Sequence, residues 1–206
     1  MITSFHTVNG SSTGEYREKG SKFIALVYPV ASEDEVKIRL AEVKKKYFDA
    51  RHHCFAYILG PDKIKFRAYD DGEPNHSAGD PILGQIRSRN LTNVLVIVVR
   101  YFGGTKLGVG GLVTAYKTAA DEALNNIAIV EQQITVPVVF EFAYESTPVI
   151  MKLVKDFGLS IRNQTFETSC VLEAEVLLAS RESLFERARL LQATGNHFIL
   201  RVAEVQ

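Results

Sequence analysis

Cysteine is scarce in this 206-residue chain, occurring only at Cys54 and Cys170. A small secreted scaffold would carry more, at tighter spacing, so a disulfide framework is excluded and both read as reduced, buried thiols. Long apolar runs are missing as well. Val94–Val99 is as long as any, far short of the roughly 20 residues that a membrane-spanning helix needs. The opening MITSFHTVNG has neither a basic stretch nor an apolar one, so no secretion signal is expected and the expected compartment is the cytoplasm. Net charge is absent too: 24 basic residues balance 24 acidic ones. The whole chain therefore has no electrostatic pull on nucleic acid, and any phosphate binding must come from a local cluster. What is present is ordinary for a globular protein, 46% hydrophobic and 23% charged, which excludes a disordered chain, a coiled coil and a collagen-like repeat.

The length suits one or two domains. Residues 21–30, SKFIALVYPV, read as a strand. Ser32 opens a helix as a capping box with Glu35. Glu33 and Asp34 suit its positive end and Lys44, Lys45 and Lys46 its negative end. The triple lysine is open to two readings, a helix end or a nucleic-acid patch. Val36, Leu40, Val43 and Tyr47 form the apolar stripe. Strands follow at His53–Leu59 and Ile64–Tyr69, joined by Gly60-Pro61-Asp62. DDGEPNHSAGDP is a loop, and Pro81 starts a short helix ending near Arg89. Val94–Phe102 is apolar on both faces, as a central strand covered on both sides would be. A helix follows the glycine run, with Leu112, Tyr116, Ala119, Ala120, Ala123 and Ile127 inward.

The pattern changes near Glu131–Ile134. Val136, Val138, Phe140, Phe142 and Tyr144 alternate as a strand with one buried face. Thr147-Pro148 starts a helix that Gly158 stops. Strands at Leu159–Phe166 and Ser169–Leu178, a helix capped by Ser180 and stopped by Gly195, and a strand at His197–Val205 complete a β-α-β-β-α-β order, the ferredoxin-like unit. The expectation is an α+β chain of two domains, 1–132 and 133–206. RNA recognition on the second sheet would need exposed rings. Its third strand instead exposes Val171, Glu173, Glu175 and Leu177, beside Glu141 from the first strand. Such an acidic face suits packing on a protein partner or on the neighbouring domain.

Three segments could carry chemistry. In RYFGGTKLGVGG, five glycines in nine positions let the backbone reach positive φ and approach a ligand. Free amides at the following helix start attract anions, with Arg100 and Lys106 as nearby cations. Neither the Walker spacing nor the dinucleotide fingerprint is met. A ligand-free strand-to-helix turn is the plain alternative. In DDGEP, Asp70, Asp71 and Glu73 could hold Mg²⁺, serve as acid and base, pair with Arg51 or Arg100, or simply make a turn. In RHHC, strand alternation puts His52 and Cys54 on one face and His53 on the other. A zinc site with His76, or Cys54 as a nucleophile, is the minor reading there, since no partner spacing supports either.

Taken together, SKF at Ser21, RHHC, DDGEP with Ala78-Gly79 and Pro81, and RYFGGTKLGVGGLVTAY resemble the IMPACT family in its bacterial YigZ-like branch. The resemblance implies an N-terminal domain similar to the second domain of a small-subunit ribosomal protein and to domain four of elongation factor G. It implies a ferredoxin-like C-terminal domain similar to that factor's last. Eukaryotic relatives regulate translation by competing for an activator of a stress kinase, using an added RWD domain with no counterpart in these residues. Asn75-His76 departs from the small residues many relatives have there. Two expectations result. One is a non-enzymatic protein binding RNA or the ribosome, with Lys22, Arg51, Arg100 and Lys106 on phosphate and the amides of Gly103, Gly104 and Gly108 assisting. The other is an enzyme acting on a phosphorylated small molecule, with Asp70, Asp71 and Glu73 on Mg²⁺ or protons and His52 and His53 in support. No resident cofactor, metal or membrane contact and no DNA sequence reading is expected.

Overall fold

The computed structural model describes residues 1–167 and 169–203. The expected end of the last strand at Val205 lies outside the described residues. The chain divides into two compact units, Ile2–Gln132 and the part from Gln133 onward. Among the described residues no helix is long and apolar enough to cross a membrane.

The first unit runs β1 (Ser4–Val8), β2 (Ser12–Glu18), β3 (Ser21–Pro29), α1 (Glu33–Lys46), β4 (His52–Leu59), β5 (Lys65–Tyr69), α2 (Gly79–Ser88), β6 (Val94–Tyr101), α3 (Gly108–Asn125) and β7 (Ile129–Gln133). A five-stranded sheet has the order β2-β3-β6-β4-β5, and β1 pairs separately with β7. Every neighbouring pair in the larger sheet is antiparallel. β6 lies at its centre, and apolar cores cover both faces. Val96 and Val98 pack with Phe23, Cys54, Ile82 and Tyr116 beneath α2 and α3. Leu95, Ile97 and Val99 pack with Val36 and Val43 of α1. Burial on both sides is why β6 shows no polar alternation.

Local signals account for the boundaries. Ser32 Oγ accepts the Glu35 amide at 3.2 Å, and the Glu35 carboxylate reaches back to the Ala31 amide at 2.9 Å, one residue earlier than a standard capping box. Lys19 and Gly20 both have positive φ, 46° and 77°, the turn that matches the twist of a two-residue hairpin between β2 and β3. β2 shows little apolar pattern because, of its inward positions, Tyr16 packs on the core but Gly14 brings no side chain. A Cβ there would lie 2.4 Å from the Ala123 nitrogen, so the strand backbone packs directly on α3.

The second unit is β8 (Thr135–Phe142), α4 (Thr147–Asp156), β9 (Ser160–Phe166), β10 (Cys170–Leu177), α5 (Arg181–Ala193) and β11 (Phe198–Val202). Its antiparallel sheet has the order β11-β8-β10-β9. Phe140, Ile150, Leu153, Leu172, Val176 and Leu184 form the core. Four expectations are corrected. Tyr144 leaves the strand for a short 3₁₀ turn and is 73% exposed. Ser180 precedes α5, but its hydroxyl caps no amide. Ile127 lies beyond the end of α3. The open face is less acidic than expected, because Glu141 pairs with Arg201 and Glu175 with Arg162, each at 2.9 Å.

Candidate functional site

The end of β6 sets the site. Arg100 lies opposite Phe23 of β3 and His52 of β4, so these side chains share the face covered by α2 and α3. Past Phe102 the chain must cross the β2–β3 hairpin. A Cβ on Gly103 would sit 1.9 Å from the Gly20 carbonyl carbon and 2.1 Å from the Ser21 nitrogen. Only glycine passes there, and its amide donates to Ser21 Oγ at 3.1 Å. Gly103 is therefore a packing position with its N–H already used, which corrects the expectation that it serves a ligand. Gly104 and Gly108 have φ of 86° and 73° with open space where a Cβ would be, so conformation rather than crowding selects glycine at both. α3 then begins at Gly108 behind Leu107, whose side chain supplies no cap. The first-turn amides lack a side-chain acceptor at the positive end of an eighteen-residue helix.

RHHC, DDGEP and the glycine loop converge on one cleft of about 480 Å³. Arg51 and His52 come from the start of β4, Glu73 and Pro74 from DDGEP, Arg100 and Phe102 from the end of β6, and Lys106 to Val109 from the loop and the first turn of α3. Glu73 and Arg100 are buried, and Nη1 of the arginine donates to Oε1 of the glutamate at 2.7 Å. The same oxygen accepts from the Tyr116 hydroxyl at 2.7 Å. The guanidinium lies between two rings, 5.5 Å from the centroid of Phe23 and 5.6 Å from that of Phe102. Its Nε is buried with no partner among the described residues. Beneath the pair, Cys54 Sγ lies 2.9 Å from the Asp70 carbonyl oxygen and 3.3 Å from the Tyr116 hydroxyl. Burial pushes both the thiol and the phenol up, so both stay neutral. Cys54 is fully buried, which closes the nucleophile reading.

The carboxylates of DDGEP do not act together. Asp70 Oδ1 accepts the Ala78 and Gly79 amides at 3.0 and 2.8 Å, and its Oδ2 accepts the His76 amide at 2.9 Å. It thus caps α2 from a distance, where the preceding Ala78 has no side-chain acceptor. Asp71 Oδ2 accepts the His53 amide at 2.7 Å. Only Glu73 of the three lines the cleft. His52 Nδ1 is 2.8 Å from the Asp71 carbonyl oxygen and holds the loop from the cleft side. His53 points to the other core and meets the Tyr47 carbonyl at 3.0 Å. Lys22 also lies on the far face, paired with Glu15 at 3.0 Å, and does not reach the cleft. Arg51 and Lys106 do line it, both exposed and, among the described residues, without an ion pair. Phe102 and Tyr116 were not expected as site residues. The one readable hint was a phenol in the otherwise apolar stripe of α3, because a buried Tyr hydroxyl needs a partner.

Residues 19–124 match the family described as the Impact N-terminal domain. The chain belongs to the IMPACT family. Every cleft residue falls inside the matched IMPACT segment. The chain is 38% identical over 134 residues to "IMPACT family member YvyE" of Bacillus subtilis, an alignment covering 65% of this chain and 62% of that protein. It is 38% identical over 111 residues to "IMPACT family member YigZ" of Escherichia coli, covering 53% and 54%. The chain thus spans about six tenths or less of the length of these two relatives. A crystal structure of a hypothetical protein matches all of both chains at 26% identity with a TM-score of 0.74.

Proposed function

We propose that this IMPACT-family chain is a non-enzymatic, translation-associated protein of the cytoplasm that grips RNA, free or within the ribosome, by a backbone phosphate seated in the cleft. The observation that carries the reading is the meeting of two cations that make no ion pair among the described residues, Arg51 and Lys106, with the first turn of α3, which no side chain caps. A phosphate there accepts from the first-turn amides and is charge-paired by both side chains. Arg100 plays a different part from the one expected. Glu73 offsets its charge, so it forms the floor and leaves the positive excess to the rim. Phe102, half exposed over that floor, offers a flat face to a neighbouring base.

We class the second unit as ferredoxin-like on its strand order and the first as the ribosomal-protein type that the family resemblance implies, with the boundary at 132/133. These classes agree with a role near the ribosome, although fold alone does not fix function. The second unit serves a protein partner.

A second reading, an enzyme on a phosphorylated small molecule, is favoured by one observation: the cleft has the volume of a small-ligand site. It is weakened because backbone amides engage both carboxylate oxygens of Asp70 and one of Asp71. The test is amide NMR with added uridine 3′,5′-bisphosphate. Saturable shifts at Gly108 and Val109 are expected, and unmoved amides at both contradict the proposal. A sugar-phosphate panel with Mg²⁺ decides for the enzyme if one compound stabilises the fold by about 2.7 kcal/mol at a hundredfold excess over its Kd.

A further inference from the structure

Phe48 has no structural explanation within its unit. It is 82% exposed, more than any other phenylalanine or tyrosine among the described residues, yet the chain around it is firmly held. Tyr47 packs against the α1 core and its carbonyl meets His53 Nε2 at 3.0 Å. Asp49 accepts from the Tyr101 hydroxyl at 2.8 Å. The Ala50 amide donates back to the Tyr47 carbonyl at 3.0 Å, and Ala50 is buried. The ring is thus pinned outward on an ordered turn, not left on a loose end. Just before it, Lys44, Lys45 and Lys46 are all exposed and, among the described residues, without an ion pair. Just after it, Arg51 enters the cleft. Three residues of chain reach no more than about 11 Å. Tyr101, which anchors Asp49, is followed directly by Phe102 of the cleft wall.

We infer that Phe48 and the three lysines extend the phosphate cleft into a track for single-stranded RNA. One nucleotide sits at Phe102 with its phosphate in the cleft. The strand leaves past Arg51, a further base stacks on Phe48, and the following phosphates lie along Lys44–Lys46. Charge complementarity selects the occupant. The patch sets a bare π face beside lysines that make no ion pair among the described residues, and of its acidic neighbours Asp49 accepts from Tyr101 and Glu42 pairs with Arg39. Stacking on such a ring is indifferent to base identity, so the track reads single strands without sequence preference. Lysines at the end of a helix also suit its dipole. That role accounts for their sign but not for the ring beside them.

The inference rests on the cleft reading, and one set of titrations separates the two. Fluorescence anisotropy follows a labelled octauridylate and, by competition, uridine 3′,5′-bisphosphate on the full chain. Phe48→Ala is expected to weaken the octamer about fivefold to a hundredfold, to leave the mononucleotide unchanged, and to be rescued by Phe48→Tyr. Replacing Lys44, Lys45 and Lys46 together by alanine is expected to lower the salt slope for the octamer by about 2. Phe48→Ala binding the octamer within twofold of wild type, with the mononucleotide still bound, overturns the track alone. That result also decides for a protein partner on Phe48 if the same variant loses one. A mononucleotide that does not bind, with Arg51→Ala and Lys106→Ala silent on the octamer, overturns the cleft and the track with it.

Discussion

Replacing Glu73 by alanine strands Arg100. Only 4% of the glutamate side chain and 7% of the arginine side chain reach solvent, so water replaces the lost partner poorly. Removing one member of such a buried pair costs about 3–5 kcal/mol. The Tyr116 hydroxyl loses its acceptor in the same step, a loss within that range because all three groups share one oxygen. With a urea m-value of about 1–3 kcal/mol/M, the midpoint of the first unit should fall by roughly 1–5 M. Circular dichroism during urea unfolding measures it. The second unit, whose core contains neither residue, serves as an internal reference. Adding Arg100→Met to Glu73→Ala removes the unpaired charge and should restore part of the stability, because the penalty lies in the uncompensated cation and not in the missing contact. A loss below about 1 kcal/mol for Glu73→Ala, or a double variant no more stable than the single one, refutes the buried-pair account.

Gly103→Ala should destabilise by about 2–4 kcal/mol, since its methyl would meet the backbone of Gly20 and Ser21. By contrast Gly110→Ala, in the first turn of α3 with nothing near its Cβ, should be neutral or stabilising by up to about 1 kcal/mol. Thermal melts compare them, and equal effects would contradict the close approach. Neither Cys54 nor Cys170, both free and buried, should react with a thiol reagent in the folded chain, and both should react in guanidinium. A fast native thiol sinks this reading. The hydrogen bond to Asp49 pushes the Tyr101 hydroxyl up to about 12. Its folded pKa thus exceeds its unfolded one. The associated stability is complete below the ordinary tyrosine value of about 10 and is lost as pH rises through the folded value. Ultraviolet titration should show one late-ionising tyrosine fewer in Asp49→Asn, the buried Tyr116 staying late in both chains, and a profile unchanged by that substitution would refute the anchor.

Much of this was legible because local rules and tertiary demands agreed. The run at Val94–Val99 announced burial on both faces, and β6 lies between two cores. Ser32 marked the start of α1 by its own chemistry. The three motifs were readable as chemistry, and the structure brings them to one cleft. What stayed hidden depends on partners distant in sequence. β2 shows little apolar pattern because it packs in part through Gly14 backbone on α3. Nothing local tells that Asp70 caps a helix eight residues on while Glu73, three residues away, turns into the cleft. Lys22 is a cation beside an apparent site by sequence order, and strand alternation carries it to the opposite face. The glycines looked equivalent, yet Gly103 answers to crowding and Gly104 and Gly108 to backbone angle. By sequence Phe102 reads as the end of an apolar strand, and only the turn after Tyr101 exposes it as a wall.

The most direct test of the cleft is the salt dependence of RNA binding by the wild type and by the Arg51→Ala/Lys106→Ala variant. If both cations neutralise phosphate, the plot of log affinity against log salt should be shallower in the variant by about 1.4, at about 0.7 per contact on a single strand. Parallel plots, or no binding by the wild type even at low salt, contradict the account.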